Sequence, residues 1–148
     1  MAIDPQTLHG LPPADFVALV KRTSDKEIEA DFGGQHREQL LDSVFERFPQ
    51  QFRPEKAGDR SARIDFRITG GPDGGSDTYA VVVENGECRV DKHPSAEPDL
   101  SLMMGPAEFL KLVTGSGNPA MMFMMGKIKA RGDVGLATGL ANWFQSPG

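Results

Sequence analysis

A single cysteine, Cys88, stands among 148 residues, so no disulfide can close within the chain and stability has to come from a packed core. That fits a reducing compartment. No run approaches the roughly 18 apolar residues of a membrane-spanning helix, and the opening Met-Ala-Ile-Asp-Pro lacks the basic and apolar regions of a secretion signal; the expected location is cytoplasmic. Basic residues are outnumbered, 16 Lys and Arg against 21 Asp and Glu, for a net charge of -5, which argues against a nucleic-acid partner. Histidine is scarce: His9, His36 and His93 lie scattered, with no carboxylate or Cys at ligand spacing, so no metal site or general base is read from them. No cofactor motif survives inspection. Gly126-Lys127 has the end of a phosphate-binding loop, but Met121 stands where the first Gly is needed and Ile128 where Ser or Thr binds magnesium. Gly70 to Gly75 has no helix start behind it to hold a phosphate and reads as a hairpin loop. Cys88 alternates in step with Val90, which makes it a small core residue rather than a nucleophile.

What is present describes one α+β domain. A chain of this length buries about two thirds of its unfolded surface around a single core. Phe16, Leu19 and Val20 share a helical face behind Pro12-Pro13, and Ser24 with Glu27 three residues on makes a capping box for a second helix ending at Gly33-Gly34. Residues 1–34 therefore read as an N-terminal helical appendage, separable from a domain spanning 35–148. From Arg37, the residues Leu40, Leu41, Val44, Phe45 and Phe48 repeat at helical spacing, giving one amphipathic helix that ends before Pro54. Ala62, Ile64, Phe66 and Ile68 alternate with polar residues as a strand with one wet face, and Asn85-Gly86 joins two further strands as a hairpin. Leu100, Leu102 and Met104 alternate in a fourth strand, and residues 127–131 in a fifth, with helices at 107–114 and 119–125 between them. The expected architecture is a five-stranded, mainly antiparallel sheet covered on one face by helices.

Residues 118–133 read NPAMMFMMGKIKARGD. Asn118 and Pro119 make a cap and first helical position. The following Met121, Met122, Phe123, Met124 and Met125 are apolar all round, so both faces of the helix are expected to be covered, and Gly126 ends it in the left-handed conformation. Such a run reads first as a Met-rich core helix, and alternatively as the adaptable wall of a pocket for greasy molecules. Lys127, Lys129 and Arg131 point to one side of the next strand, as a solvated face or as contacts to anionic head groups.

This arrangement resembles the sterol carrier protein type two family, the non-specific lipid-transfer proteins. Asn118, Pro119, Phe123, Gly126, Lys127, Ile128, Lys129, Gly132, Asp133, Leu136 and Ala137 stand where that family's C-terminal pattern places them, and the likeness extends back to about Leu40 through the Asp-x-Ser-Leu strand at Asp99 to Leu102. Met125 stands where many animal members carry Gln, so their head-group recognition does not carry over. Eukaryotic members often end in Ser-Lys-Leu, whereas this sequence ends Ser-Pro-Gly. The resemblance implies non-catalytic binding or transfer of a sterol-like compound, fatty acid or acyl-CoA in an apolar cavity, with no cofactor. The expected lining is Phe109, Val113, Met121, Met122, Met124, Met125, Leu136, Leu140, Trp143 and Phe144, with Phe66 and Met104 as the floor. In that family the last helix closes the tunnel, so Gly135 and Gly139, which weaken it here, suit either a lid or close helix–sheet packing. Expected partners are thus a hydrophobic small molecule or lipid, at most transient membrane contact, and a possible homodimer. The alternatives are a pathway-specific enzyme or accessory protein using the same cavity, which would show Asp99, Arg131 or His93 converging on it, and a dimerisation or scaffold module built on the Met-rich surface.

Overall fold

The computed structural model describes residues 3–92, 94, 96–115, 119–136 and 143–144. Six helices come first: α1 (Pro5–Leu8), α2 (Pro13–Arg22), α3 (Asp25–Phe32), α4 (Arg37–Phe45), α5 (Arg47–Gln51) and α6 (Pro54–Ala57). Ser24 caps α3 as the sequence requires, its hydroxyl accepting from Glu27 N at 3.2 Å. The single helix expected from Arg37 onward is instead two. Pro49 has no N–H to give the Phe45 carbonyl four residues back, so the chain breaks at Glu46 and resumes as α5.

The sheet contains β1 (Ala62–Ile68), β2 (Asp77–Glu84), β3 (Glu87–Lys92), β4 (Leu100–Met104) and β5 (Ile128–Gly132), with α7 (Pro106–Thr114) and α8 (Pro119–Met124) between the last two. Its order is β3-β2-β1-β4-β5. All neighbours are antiparallel except β1 and β4, which run parallel with Ile64 beside Leu100 and Ile68 beside Met104. The β2–β3 hairpin turns at Asn85 (φ 54°) and Gly86 (φ 74°), the pair of positive φ angles that matches strand twist.

Asp99 closes the junction of three strands. Its carboxylate accepts from Arg63 N at 2.9 Å, its own N–H donates to the Arg63 carbonyl at 2.8 Å, and its carbonyl accepts from Asp133 N at 2.8 Å. A Cβ at Gly132 (φ 107°) would sit 2.5 Å from that same carbonyl oxygen, so only glycine lets β5 end this close to Asp99.

Helices lie against the face carrying Ile64, Phe66, Ile68, Tyr79, Val81, Leu100, Leu102 and Met104, and one core cluster joins these to Leu40, Leu41, Val44 and Phe45 of α4. Leu8, Phe16, Leu19, Val20, Ile28 and Phe32 belong to the same cluster. The described part of the expected 1–34 appendage, residues 3–34, therefore shares the core with the sheet. The opposite sheet face is polar along β1, yet Ala80 and Val82, which project to it by alternation, are buried.

Two buried arginines pin this layer. Arg37 donates from Nε to Asp77 Oδ2 at 2.6 Å, from Nη1 to the Phe32 and Thr69 carbonyls at 2.9 and 3.1 Å, and from Nη2 to the Ile68 carbonyl at 2.5 Å. It thus ties the end of α3 to the end of β1 and the start of β2. Arg47 lies over the Phe16 ring, 4.2 Å from its centre, and donates to the Leu8 and Leu11 carbonyls. Burial pulls its pKa below the usual arginine value.

Candidate functional site

Phe66 and Phe109, expected as floor and lining, are fully buried. They belong to a packed aromatic group: Phe45 stacks on Phe109 with centroids 4.8 Å apart, Phe66 lies 6.0 Å from Phe109, and Phe48 lies 5.4 Å from Phe66. Phe144 reaches the edge of this group, 5.3 Å from Phe48. The space between α4, α7 and β1 is filled by rings, and the adaptable part of the interior lies further along, where Met104 and Met122 are buried in the same cluster.

There the surface opens. A groove of about 520 Å³ runs between α3 and α7 on one side and the entry to β5 on the other. Met103, Met104, Gly105 and Pro106 line it together with Thr69 and Gly70, Glu29 and Glu108 stand on the helix side, and Gly126, Lys127 and Lys129 on the strand side. Among the described residues no ion pair joins these four charges. The wall at Thr69 adjoins Ile68, and Arg37 holds the carbonyls of both. Of these lining residues only Met104 is among the expected ones. The groove depends on the parallel pairing of β1 with β4, a contact between distant segments that local pattern does not encode.

The Met-rich segment behaves differently from expectation. Met122 is buried, but Met121, Phe123, Met124 and Met125 are exposed, Met124 to 84%. Helix α8 has only six residues and touches the fold through one face, so the prediction that both faces would be covered fails. Its end is as predicted: Lys127 N donates to the Met122 carbonyl and Gly126 N to the Phe123 carbonyl, with Gly126 at φ 76°. Val113 and Leu136 are half-buried against the core. Trp143 is buried in a second small cluster with Ala57, Ala62 and Val83, and its carbonyl accepts from Arg53 N at 2.7 Å. Leu140, Ala137, Gly139, Asn118 and His93 lie outside the described residues, as does most of the expected last helix.

The polar groups near these elements are engaged structurally. Asp99 serves the strand junction, and Arg131 is exposed on β5. Tyr79 donates to Asp42 Oδ1 at 2.6 Å, and burial together with that carboxylate raises its pKa far beyond the usual phenol value. Burial pushes the Cys88 thiol up to about 12, which leaves it protonated and a poor nucleophile at neutral pH. Among the described residues no group of three or more His, Cys, Asp and Glu could hold a metal ion, and no helix is long and apolar enough to cross a membrane.

The sequence model of the SCP-2 sterol transfer family matches residues 41–145. Human sterol carrier protein 2 is 37% identical over 83 residues, 56% of this chain, and the match spans 15% of the length of that relative. Sterol carrier protein 2 like 2 from Aedes aegypti superposes with a TM-score of 0.54 at 22% identity, covering 71% of this chain and 93% of that structure. The stereoselective inverting sec-alkylsulfatase Pisa1 from Pseudomonas sp. superposes with a TM-score of 0.63 at 14% identity, covering 76% of this chain and 18% of the enzyme. These structures share the mixed five-stranded α+β fold.

Proposed function

This chain belongs to the SCP-2 sterol transfer family, and we propose that it binds a hydrophobic ligand non-catalytically, a fatty acid, acyl-CoA or sterol-like compound, and releases it intact. The observation that carries this reading is the groove of about 520 Å³ lined by Met103 and Met104. Its size lies within the range of small-molecule pockets. Its flexible methionine floor adapts to varied apolar shapes, whereas the stacked rings of Phe45, Phe66 and Phe109 resist displacement. We place the apolar part of the ligand against Met103, Met104 and Pro106, with its tail directed toward the buried Met122. Affinity then comes from buried area at about 25 cal/mol per Å², with little directional selectivity. Asp99 and Arg131 do not line the groove, but Glu29, Glu108, Lys127 and Lys129 do, so its lining is not wholly apolar.

A second reading is an accessory domain that presents an apolar substrate within a larger enzyme. The short span of the match to human sterol carrier protein 2 and to the alkylsulfatase favours it. Solvent extraction of the purified protein followed by mass spectrometry of co-purified lipids tests both. Titration with fatty acids of increasing length, followed by isothermal calorimetry, gives saturable binding that tightens by about 0.8 kcal/mol per buried methylene until the site is full. Absence of any bound or titratable lipid would refute the carrier.

A further inference from the structure

We propose that α8 and the start of β5 form a docking surface for an anionic lipid bilayer. Met121, Met124 and Met125 stand at i, i+3 and i+4, so one face of the helix presents three methionines outward while Met122 turns into the core. Phe123, 49% exposed, widens this apolar surface. Directly after the Gly126 turn, Lys127, Lys129 and Arg131 alternate with Ile128 and Ala130 and are exposed on an edge strand. Among the described residues none of the three is ion-paired. Residues 109–132 contain four cations and no carboxylate in a chain of net charge -5.

Charge complementarity selects the occupant. The acidic body of the protein is repelled by an anionic surface, whereas this edge joins exposed apolar side chains to cations that are unpaired among the described residues, the combination such a surface attracts. Methionines enter the interface between head groups and acyl chains, and the lysine and arginine heads remain at the phosphate level. A second copy of the chain is the poorer fit, because a two-fold contact through α8 brings the cations of both copies together. Docking also sets the groove at the bilayer, since Gly126, Lys127 and Lys129 belong to its rim. Only this last consequence rests on the lipid-carrier reading.

The test is sedimentation of the full chain with sucrose-loaded vesicles of phosphatidylcholine alone or with phosphatidylglycerol. We expect partitioning onto the anionic vesicles to exceed that onto neutral ones by about tenfold or more at low salt and to weaken in high salt. Met124→Glu with Met125→Glu is expected to cut partitioning at least about tenfold, and Lys127→Gln, Lys129→Gln and Arg131→Gln together to abolish the preference for anionic lipid. Equal binding to neutral and anionic vesicles, or methionine variants that bind as the parent does, would overturn the proposal. A concentration-dependent dimer in analytical ultracentrifugation, dissolved by the methionine substitutions, would assign the face to a second copy and also overturn it. Circular dichroism melts check that each variant is folded. Fatty-acid titration of the parent separates this proposal from the functional one: vesicle binding lost with titration intact refutes docking alone, and the converse refutes the carrier alone.

Discussion

Replacing Arg37 with methionine removes a guanidinium that holds four acceptors at one corner of the fold. The side chain is 5% exposed and Asp77 is 42% exposed, so the energy lies less in the ion pair than in the carbonyls of Phe32, Ile68 and Thr69 left without a donor. Each buried acceptor so orphaned costs about 1–3 kcal/mol, and methionine recovers part of the loss by filling the space, which leaves about 3–5 kcal/mol. In a domain of this size that lowers the melting temperature by on the order of 10 °C. Arg37→Lys keeps the charge but cannot reach four acceptors from one ammonium, so about half the loss is expected. Asp77→Asn, at a half-exposed position, should cost about 1 kcal/mol or less. Urea melts of the three variants and the Arg37→Met, Asp77→Asn pair give the coupling directly. A loss below about 1 kcal/mol for Arg37→Met would show that water or a shifted backbone replaces the guanidinium, and the corner would not be the clamp described.

Three further outcomes follow from the same geometry. Gly132→Ala should destabilise by about 2–4 kcal/mol, because φ 107° and a Cβ 2.5 Å from the Asp99 carbonyl oxygen both oppose it, whereas Gly126→Ala, with nothing within 4 Å, should cost only about 1 kcal/mol from its positive φ; equal losses in denaturant melts would refute the difference. The raised Cys88 pKa means that the unfolded thiol ionises first as pH rises, so its contribution to stability is complete below the ordinary thiol range and is lost progressively between about 9 and about 12. Cys88→Ala should flatten that part of the stability profile, and an unchanged profile would remove burial as its cause. Deleting residues 1–34 removes Leu8, Phe16, Leu19, Val20, Ile28 and Phe32 from the core cluster; at about 1.5–3 kcal/mol each this rivals the whole stability of a typical domain, so no cooperative melt is expected from 35–148 alone. A sharp transition in the truncated chain would make the N-terminal helices a true appendage.

Much of the fold was legible because local chemistry settles it. The alternation from Ala62 to Ile68 can only be a half-buried strand, Asn85-Gly86 can take two positive φ angles in succession, Ser24 can cap, and Gly126 can turn the chain from helix to strand. Pro49 marks the break between α4 and α5 in the sequence, whereas the apolar spacing from Leu40 to Phe48 by itself describes one helix. The parallel seam between β1 and β4 was not legible, since nothing in either strand names its neighbour. Without that seam the sequence offers no reason to bring Thr69, Gly105 and Lys127 together, and the groove they line stays invisible. Arg37 was unreadable for a related reason: its acceptors come from α3, β1 and the start of β2, and a charged residue in an amphipathic helix is ordinarily solvated.

The methionines of α8 show where pattern reading reaches its limit. Apolar composition measures how much surface seeks cover, but a helix six residues long offers one flank to a sheet edge, and among the described residues no second layer buries Met121, Phe123 or Met124. Met122 alone is drawn in, because it sits on the flank facing the core near Ile128, and Met124, about 160° round the helix from it, is carried furthest outward. A chain that leaves three methionines and a phenylalanine in water at one edge retains a surface that burial in a lipid interface or in another protein would satisfy. The adjoining cations distinguish between these partners, since an anionic interface gains from each of them and a second copy of the same edge gains from none. The segment's chemistry was thus readable from its residues, while its position, inside the pocket or on the face that delivers the pocket to a membrane, was decided by helix length and sheet order.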